Sequence, residues 1–599
     1  MHPSLSTFSY DPIKCELAEV FYKAFLRLSN NETFELHPSD FFLGLELPKD
    51  KSMGDYALPT FKFAKLLKTN PNQFANDLKD ALLIENCNWI LKIELKGAFL
   101  NLFTRQDDLA KILLPEMLND HWFKKLSEHN QKQPERVMIE YSQPNTHKEF
   151  HVGHGRNVCL GDSICRLYRF LGKTVIGANY IGDEGAHIAK CLWGIKKKGG
   201  IEQIANNNNK AEWLGECYVF ANNAIKDADE STRSKIQSEI SAIHLEIESK
   251  KGPEFELWKE TRQFCLDDYN EIYAWLGVKF DHFFYESEVS ESSQSIVDEY
   301  INKGLFYEDK GAIGLDLSDE KLGFFMARKS DGTTLYITKD LALAKVKFND
   351  FKIDRSIYVV ANEQNLHFRQ LFSVLIKMGF EQAKNCYHLS YGMVVRPDGK
   401  MSSRSGNSFT FLQLKNLIIV ELKTYLSKYE NEWDQNEIDS TAHQLAVGAI
   451  KYGMLSADPN KEIVFDPKEW VSFEGNSGPY LMYSYARTRS IINRGKAEGI
   501  EYNTDHLDLL THETERELMR YLYEFNQTVL YSATNYRPST LANHLFFMCK
   551  AYNRFYVEVP VLKGDDVKIK QARLALLNAF NKTLKIGLDL LGITPPERM

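Results

Sequence analysis

A chain of 599 residues is too long for one hydrophobic core, and typical domain sizes divide it into about three to five units. With 43% hydrophobic and 26% charged residues it has the balance of a globular protein, which excludes a largely disordered chain. A formal net charge of −8 argues against coating nucleic acid through bulk electrostatics, although a local basic surface can hold RNA on an acidic protein.

The N-terminus, Met1-His2-Pro3-Ser4, lacks a basic and then apolar signal region, and no later run has the length of a membrane helix. A cytoplasmic protein without a membrane partner is expected. Leu17, Val20, Phe21, Ala24, Phe25 and Leu28 recur at the spacing of one buried helix face. Beyond Gly54-Asp55-Tyr56-Ala57, a second helix is marked by Phe74, Leu78 and Leu82. Leu91, Ile93 and Leu95 then alternate with Lys92 and Glu94, the period of a half-buried strand. Together these predict a small α+β domain ending near residues 126 to 135.

Arg136 to Tyr141 reads as an apolar strand that breaks at Ser142-Gln143-Pro144-Asn145, where proline forbids simple continuation of the ladder. Val158, Gly161, Cys165, Tyr168 and Leu171 recur at helical spacing, and Lys173 to Tyr180 reads as a second strand. Strand, loop, helix, strand is half of a nucleotide-binding α/β fold. Residues from about 184 to 330 look like a helix-rich insertion, with Asn206 to Asn209 in a surface loop. A second α/β half resumes with a strand at Ile357 to Val360, a helix at Phe368 to Met378 and a strand near 387 to 395. The last 180 residues carry long helical patterns, and the whole is a multidomain α/β chain without internal repeats. Nine scattered cysteines, none in two-residue-spaced pairs, predict reduced thiols and no structural metal.

Two stretches carry the chemistry. The tetrad His151-Val152-Gly153-His154 follows a strand and opens a helix, whose first amides have no intrahelical partner and form a natural anion site. Gly153 allows close backbone approach, and His151 and His154 can donate hydrogen bonds that strengthen as charge builds on an α-phosphate and its leaving pyrophosphate. The run Lys400-Met401-Ser402-Ser403-Arg404, between Gly399 and Gly406, can close over a triphosphate from the other side. Taken singly, the tetrad is also compatible with capping histidines, and the run with a solvated loop. Their order and flanking sequence favour a divided ATP site.

With both stretches in place the chain resembles the arginyl-tRNA synthetases, class I aminoacyl-tRNA synthetases, over nearly its whole length. The family's Ser-x-Pro-Asn segment and preceding lysine match Ser142 to Asn145 and Lys148, and Gly182-Asp183-Glu184-Gly185 matches its Gly-Asp-x-Gly. Arg328 to Thr333 with Tyr336 and Asp340, Glu363 to His367, Phe473 to Asn476, Gly478 to Tyr480, Asn553 to Tyr556 and the terminal Glu597-Arg598-Met599 are similarly familiar. One position departs from the general class I loop, where Ser403 stands in place of a second lysine. The resemblance implies that Lys148 supplies the missing charge, with Arg404 as the alternative source.

The resemblance further implies a Rossmann-type catalytic domain over residues 131–412, an N-terminal domain over 1–130 that touches the tRNA elbow, a helical connection over 413–469 and an anticodon-binding helical domain over 470–599. It implies ATP with Mg²⁺, arginine and tRNA as the substrates, tRNA bound before activation, a monomer, and no DNA partner. Lys148, Lys400, His151 and His154 would be catalytic. Asn145, Gly153, His367, Gly392, Met393, Met401, Ser402 and Ser403 would bind ATP, with Gly392 and Met393 presenting backbone groups to adenine. Tyr336 and Asp340 stand four apart, on one face if helical, and the resemblance aims both at the guanidinium. Such a planar fork of five donors needs acceptors in one plane. Glu140, Ser142, Asn145 and Gln364 would complete the arginine pocket.

Toward the C-terminus, Tyr480, Tyr483 and Tyr485 alternate with Arg487 and Arg489, and Tyr552, Arg554, Phe555 and Tyr556 form a second aromatic-basic cluster. Tyr480, Arg487 and Arg554 are candidate tRNA contacts, since rings can stack on unpaired bases while arginines meet phosphates. Core aromatics with exposed arginines are the competing explanation. Two other functions share parts of this pattern: a nucleotidyltransferase with an H-x-G-H site, and a catalytically silent tRNA-binding paralogue. The first would not need the C-terminal helices, and the second should have lost site residues that this chain retains.

Overall fold

The computed structural model describes residues 4–29, 34–48, 50–85, 87–105, 108–128, 134–206, 209–330, 335–395 and 409–599, without the side chains of Lys51, Ala205, Asn206 and Tyr336. Two compact units result: one contains 1–129, 487–531 and 547–584, the other 130–486, 532–546 and 585–599.

The first unit begins with helices α1 (Pro12–Leu28) and α2 (Pro38–Gly44), strand β1 (Tyr56–Pro59), helices α3 (Phe61–Leu66) and α4 (Pro71–Ile84), and strands β2 (Ile90–Lys96) and β3 (Phe99–Thr104). Helices α5 (Leu109–Leu118) and α6 (His121–Glu128) follow. Asp11 caps α1 by accepting the Lys14 amide, and Pro12 sits at the first turn, where its missing N–H costs nothing. The expected stripe of Leu17, Val20, Phe21, Ala24 and Phe25 is buried. The three strands pair antiparallel in the order β1-β3-β2.

The second unit is built on five parallel strands. Chain order gives β4 (Arg136–Glu140), α7 (Val152–Phe170), β5 (Thr174–Ile181), then helices α8 (Ala186–Lys197), α9 (Lys210–Asp227), α10 (Glu230–Glu248) and α11 (Pro253–Leu276). Next come β6 (His282–Tyr285), α12 (Glu286–Asn302), a small sheet of β7 (Tyr307–Asp309), β8 (Ala312–Asp316) and β9 (Phe324–Arg328), and α13 (Tyr336–Phe351). The second half is β10 (Arg355–Ala361), α14 (Asn365–Lys377), β11 (Cys386–Tyr391) and the short β12 (Val394–Val395). Helices α15 (Phe411–Leu426) and α16 (Gln435–Leu455), β13 (Ile463–Val464) and α17 (Pro467–Trp470) complete the stretch before the C-terminal helices. Those are α18 (Gly478–Ala497), α19 (Glu513–Thr534), α20 (Pro538–Glu558) and α21 (Val567–Leu590).

The sheet order is β11-β10-β4-β5-β6. Connections from β4 run one way and those from β10 the other, so the carboxyl ends of β4 and β10 flank a topological switch point, where open α/β sheets bind ligands. Val137, Met138 and Ile139 are fully buried, as a central parallel strand requires. Helix α7 lies tight on this strand because of Gly161: a Cβ there would fall 2.1 Å from the Tyr141 ring.

The insertion differs from its expected form. Residues 282–285 are the fifth strand of the main sheet, and 307–328 form an antiparallel sheet. A four-residue apolar run carries too little periodicity to separate strand from helix. The turn between β7 and β8 did leave a signal in Lys310-Gly311, both at positive φ as a two-residue hairpin loop requires.

Candidate active site

A cavity of about 760 Å³ opens at the switch point. Its floor is the turn after β4, where Ser142 (φ +78°), Gln143 (+45°) and His147 (+61°) take left-handed conformations without being glycine. A hydrogen-bond network holds this strained turn. The Ser142 amide donates to Asn157 Oδ1 (2.7 Å), and Asn157 Nδ2 donates to Gln143 Oε1 (3.1 Å) and the Val359 carbonyl (2.8 Å). The Gln143 amide donates to Asn179 Oδ1 (3.1 Å). Asn179 Nδ2 donates to the Tyr273 hydroxyl (3.0 Å), which also shares a hydrogen bond with Ser142 Oγ at 2.7 Å. Asn145 lines the cavity, and its carbonyl accepts from Tyr269.

The histidine tetrad opens α7 at the rim. His151 is the N-cap, and its amide donates to His154 Nδ1 (3.3 Å), which places the His154 proton on Nε2. The two rings stack with centroids 3.8 Å apart. Burial, aided by Lys148, holds His151 down to about 4, and burial with His151 and Lys148 lowers His154 as well. Both are therefore neutral donors at physiological pH. A Cβ on Gly153 would meet the His151 ring at 3.0 Å.

The segment following the lysine-serine run is tied to this helix start. The Val152 amide donates to the Phe409 carbonyl (3.1 Å), and the Phe411 amide to the Phe150 carbonyl (2.9 Å). Lys400, Met401, Ser402, Ser403 and Arg404 themselves lie outside the described residues, as do Asp331 to Thr333 and the Tyr336 side chain.

The cavity wall also carries acidic groups. Asp340 on α13 and Glu286 at the start of α12 line it, with Tyr180, whose buried hydroxyl has no partner among the described residues. Burial raises Glu286 to about 7, opposed by Lys339 and reinforced by Asp340, Asp183 and Glu184. Asp183 accepts from Ser287 and from Arg262, fixing the helix start that carries Glu286. Asp340 Oδ2 lies 2.7 Å from His367 Nε2, so two residues expected at different substrates form one pair. Gln364 also lines the cavity.

Three family models match the chain: the class I (R) tRNA synthetase catalytic domain over residues 114–467, the DALR anticodon binding domain over 481–599, and the arginyl tRNA synthetase N terminal domain over 12–104. The arginine–tRNA ligase of Bdellovibrio bacteriovorus is 42% identical over 574 residues, covering 94% of this chain and 96% of that one. The Treponema denticola arginine–tRNA ligase is 36% identical, covering 93% and 95%. The chain belongs to the arginyl-tRNA synthetase family. Family membership makes it an aminoacyl-tRNA synthetase that ligates arginine to tRNA. The Thermus thermophilus arginyl-tRNA synthetase structure shares the fold, with a TM-score of 0.78 at 24% identity over 97% of this chain and 99% of that one.

Against the expectations for an arginyl-tRNA synthetase, several residues take other partners. Glu140 reaches the cavity, but its carboxylate is ion-paired with the fully buried Lys347 and accepts from Gln143 Nε2, so it anchors the strand end. Ser142 Oγ is engaged by Tyr273. Gly392 is not on the cavity wall: its amide donates to the Pro459 carbonyl and its carbonyl accepts from the buried Arg156. Met393 lines the cavity, although its carbonyl accepts from Ile463 as β12 pairs with β13. Lys148 is absent from the main cavity wall and lines a smaller chamber behind the histidines.

The C-terminal candidates divide similarly. Tyr485, Tyr552 and Phe555 are buried core, which withdraws them from base stacking, and Tyr552 stacks on Phe580. Arg554 is exposed and ion-paired with Glu513, Glu517 and Glu558. Arg487 lies 4.0 Å over the Tyr556 ring, and Tyr480 is half-buried against Phe546.

Sequence reasoning missed Glu286, Tyr180, Asn157, Asn179, Tyr273 and Arg156. Glu286 had one available signal, its place in the first turn of a helix directly after a strand.

Proposed function

We propose that this synthetase activates arginine in the single cavity that joins the neutral histidine pair to the acidic groups. Arginine's guanidinium lies against Asp340 and Glu286, with Tyr180 turning its unpartnered hydroxyl to the same group. Its carboxylate then faces the start of α7. There a carboxylate oxygen attacks the α-phosphorus of ATP, the bond to the bridging oxygen breaks, and pyrophosphate leaves. His154 Nε2–H at the start of α7 stabilises the charge that builds on the phosphates, so catalysis is positioning and electrostatics without a nucleophilic side chain. The arginyl group passes next to the terminal adenosine of tRNA, releasing AMP. The observation that carries this reading is that one cavity wall holds the neutral histidines, the carboxylates of Asp340 and Glu286 and the unpartnered hydroxyl of Tyr180.

Lysine in this pocket would leave part of the acceptor set unpaired, a mismatch that discriminates by several powers of ten without editing. Magnesium enters on the triphosphate. The histidine side offers imidazole and amide groups, which fits an ion held by phosphate oxygens and water. Lys148 and Lys400 serve the pyrophosphate side, and bound tRNA precedes activation. Residues 470–599 read the anticodon and the N-terminal domain meets the elbow. The enzyme acts as a cytoplasmic monomer. No described helix is long and apolar enough to cross a membrane, and the described cysteines are free thiols.

The test is ATP–pyrophosphate exchange with arginine, lysine and citrulline, with and without tRNA. Arginine-specific exchange that requires tRNA supports the reading, and no exchange under any condition defeats it.

A further inference from the structure

The chamber behind the histidines has a volume of about 120 Å³ and shares Asn145, His151 and His154 with the main cavity. Lys148 enters it from the loop before the tetrad, and its far wall is helix α9 of the insertion. Gly215 lets α9 come this close: a Cβ there would fall 2.8 Å from Glu149 Cγ. Tyr218, three residues on and so on the same helix face, places its ring centroid 5.5 Å from Lys148 Nζ.

We propose that Tyr218 is a positioning residue for Lys148, holding the ammonium beside the histidine pair so that it can serve the pyrophosphate side of ATP. This deepens the proposed function and rests on the role given there to Lys148. A lysine head on a four-carbon stem is mobile, and holding it is half the task of replacing a loop lysine. The other half is preserving its charge. An aromatic face attracts the cation through its quadrupole and adds no opposing formal charge of its own. The insertion thereby contributes to the chemistry through one ring.

The experiment compares Tyr218→Leu, Tyr218→Phe, Lys148→Ala and the Tyr218→Leu/Lys148→Ala pair in tRNA-dependent ATP–pyrophosphate exchange. Tyr218→Leu should lower kcat about tenfold with the arginine KM unchanged, and Tyr218→Phe should retain kcat within about twofold because the ring face persists. In the Lys148→Ala background, Tyr218→Leu should cost nothing further. Wild-type kcat in Tyr218→Leu, or an undiminished loss in the double variant, overturns the role of Tyr218 while leaving that of Lys148 intact. An unaffected Lys148→Ala enzyme overturns both, and marks the fault as the role of Lys148.

Discussion

His367 Nε2 and Asp340 Oδ2 are 2.7 Å apart, a hydrogen bond between the start of α14 and the first turns of α13 on the wall of one cavity. The pair couples the proposed arginine end to the side where ATP is expected. Asp340→Asn keeps the shape but removes the charge that a guanidinium needs, and should raise the arginine KM by about 10- to 100-fold. His367→Ala should raise the KM of both arginine and ATP, because it frees Asp340 as well as removing its own contact. Steady-state exchange kinetics separate the two, and an effect of His367→Ala on ATP alone would show that the pair does not couple the sites.

Glu286 gives arginine binding a pH dependence. Burial holds its carboxyl at about 7, well above the usual carboxylate range. A guanidinium binds the ionised form. Above pH 7 that form is ready, and below it binding must first strip a proton, so the arginine KM should rise as pH falls through 7, by at most about tenfold per unit. Glu286→Gln should raise KM at pH 8 and flatten the profile between pH 6 and 8. A wild-type KM that is constant across that range would remove Glu286 from the guanidinium site.

The histidines supply hydrogen bonds rather than charge. With His151 held near 4 and His154 also depressed, neither titrates between pH 6 and 8, and kcat should show no histidine-type inflection there. His154→Ala should cost about 10²- to 10³-fold in kcat, the usual price of deleting one transition-state donor. His154→Gln, which keeps a neutral donor at similar reach, should recover part of it. A full loss in His154→Gln would point to a steric role in the ring stack.

The strands at 136–140, 174–181 and 355–361 were legible because short apolar runs end at proline, glycine or charge, and α7 because its period persists for five turns. The histidine tetrad was legible as chemistry because it sits where a strand gives way to a helix. Glu286, Tyr180 and Tyr273 were not. They come from α12, β5 and α11, more than a hundred residues apart at the extremes, and only the fold brings Glu286 and Tyr180 to the cavity wall and Tyr273 to Ser142 and Asn179. For the same reason the pairing of Glu140 with Lys347 was invisible, since Lys347 lies 207 positions along the chain and nothing local announces it. Tyr485, Tyr552 and Phe555 misled in the other direction: an aromatic beside an arginine has the same sequence appearance whether the ring stacks on a base or fills a core.

Asn157 offers the clearest test of how the strained turn is held. Its amide answers three groups, the Ser142 amide, Gln143 Oε1 and the Val359 carbonyl, and it is itself buried. Asn157→Ala strands these in a region with little water, at about 1–3 kcal/mol for an unmet buried group. The left-handed conformations at Ser142 and Gln143 are then no longer over-determined, and the turn can relax away from the α7 amides. The expected outcome is a lower Tm together with a fall in kcat larger than any change in the arginine KM. Asn157→Asp keeps the acceptor for Ser142 but turns a buried carboxylate oxygen on Gln143 Oε1 and the Val359 carbonyl, so it should lower Tm at least as much as alanine. If alanine lowers Tm while leaving kcat intact, the network stabilises the fold and the turn keeps its shape by other contacts, among them Ser142 Oγ to Tyr273 and Gln143 to Asn179 and Glu140.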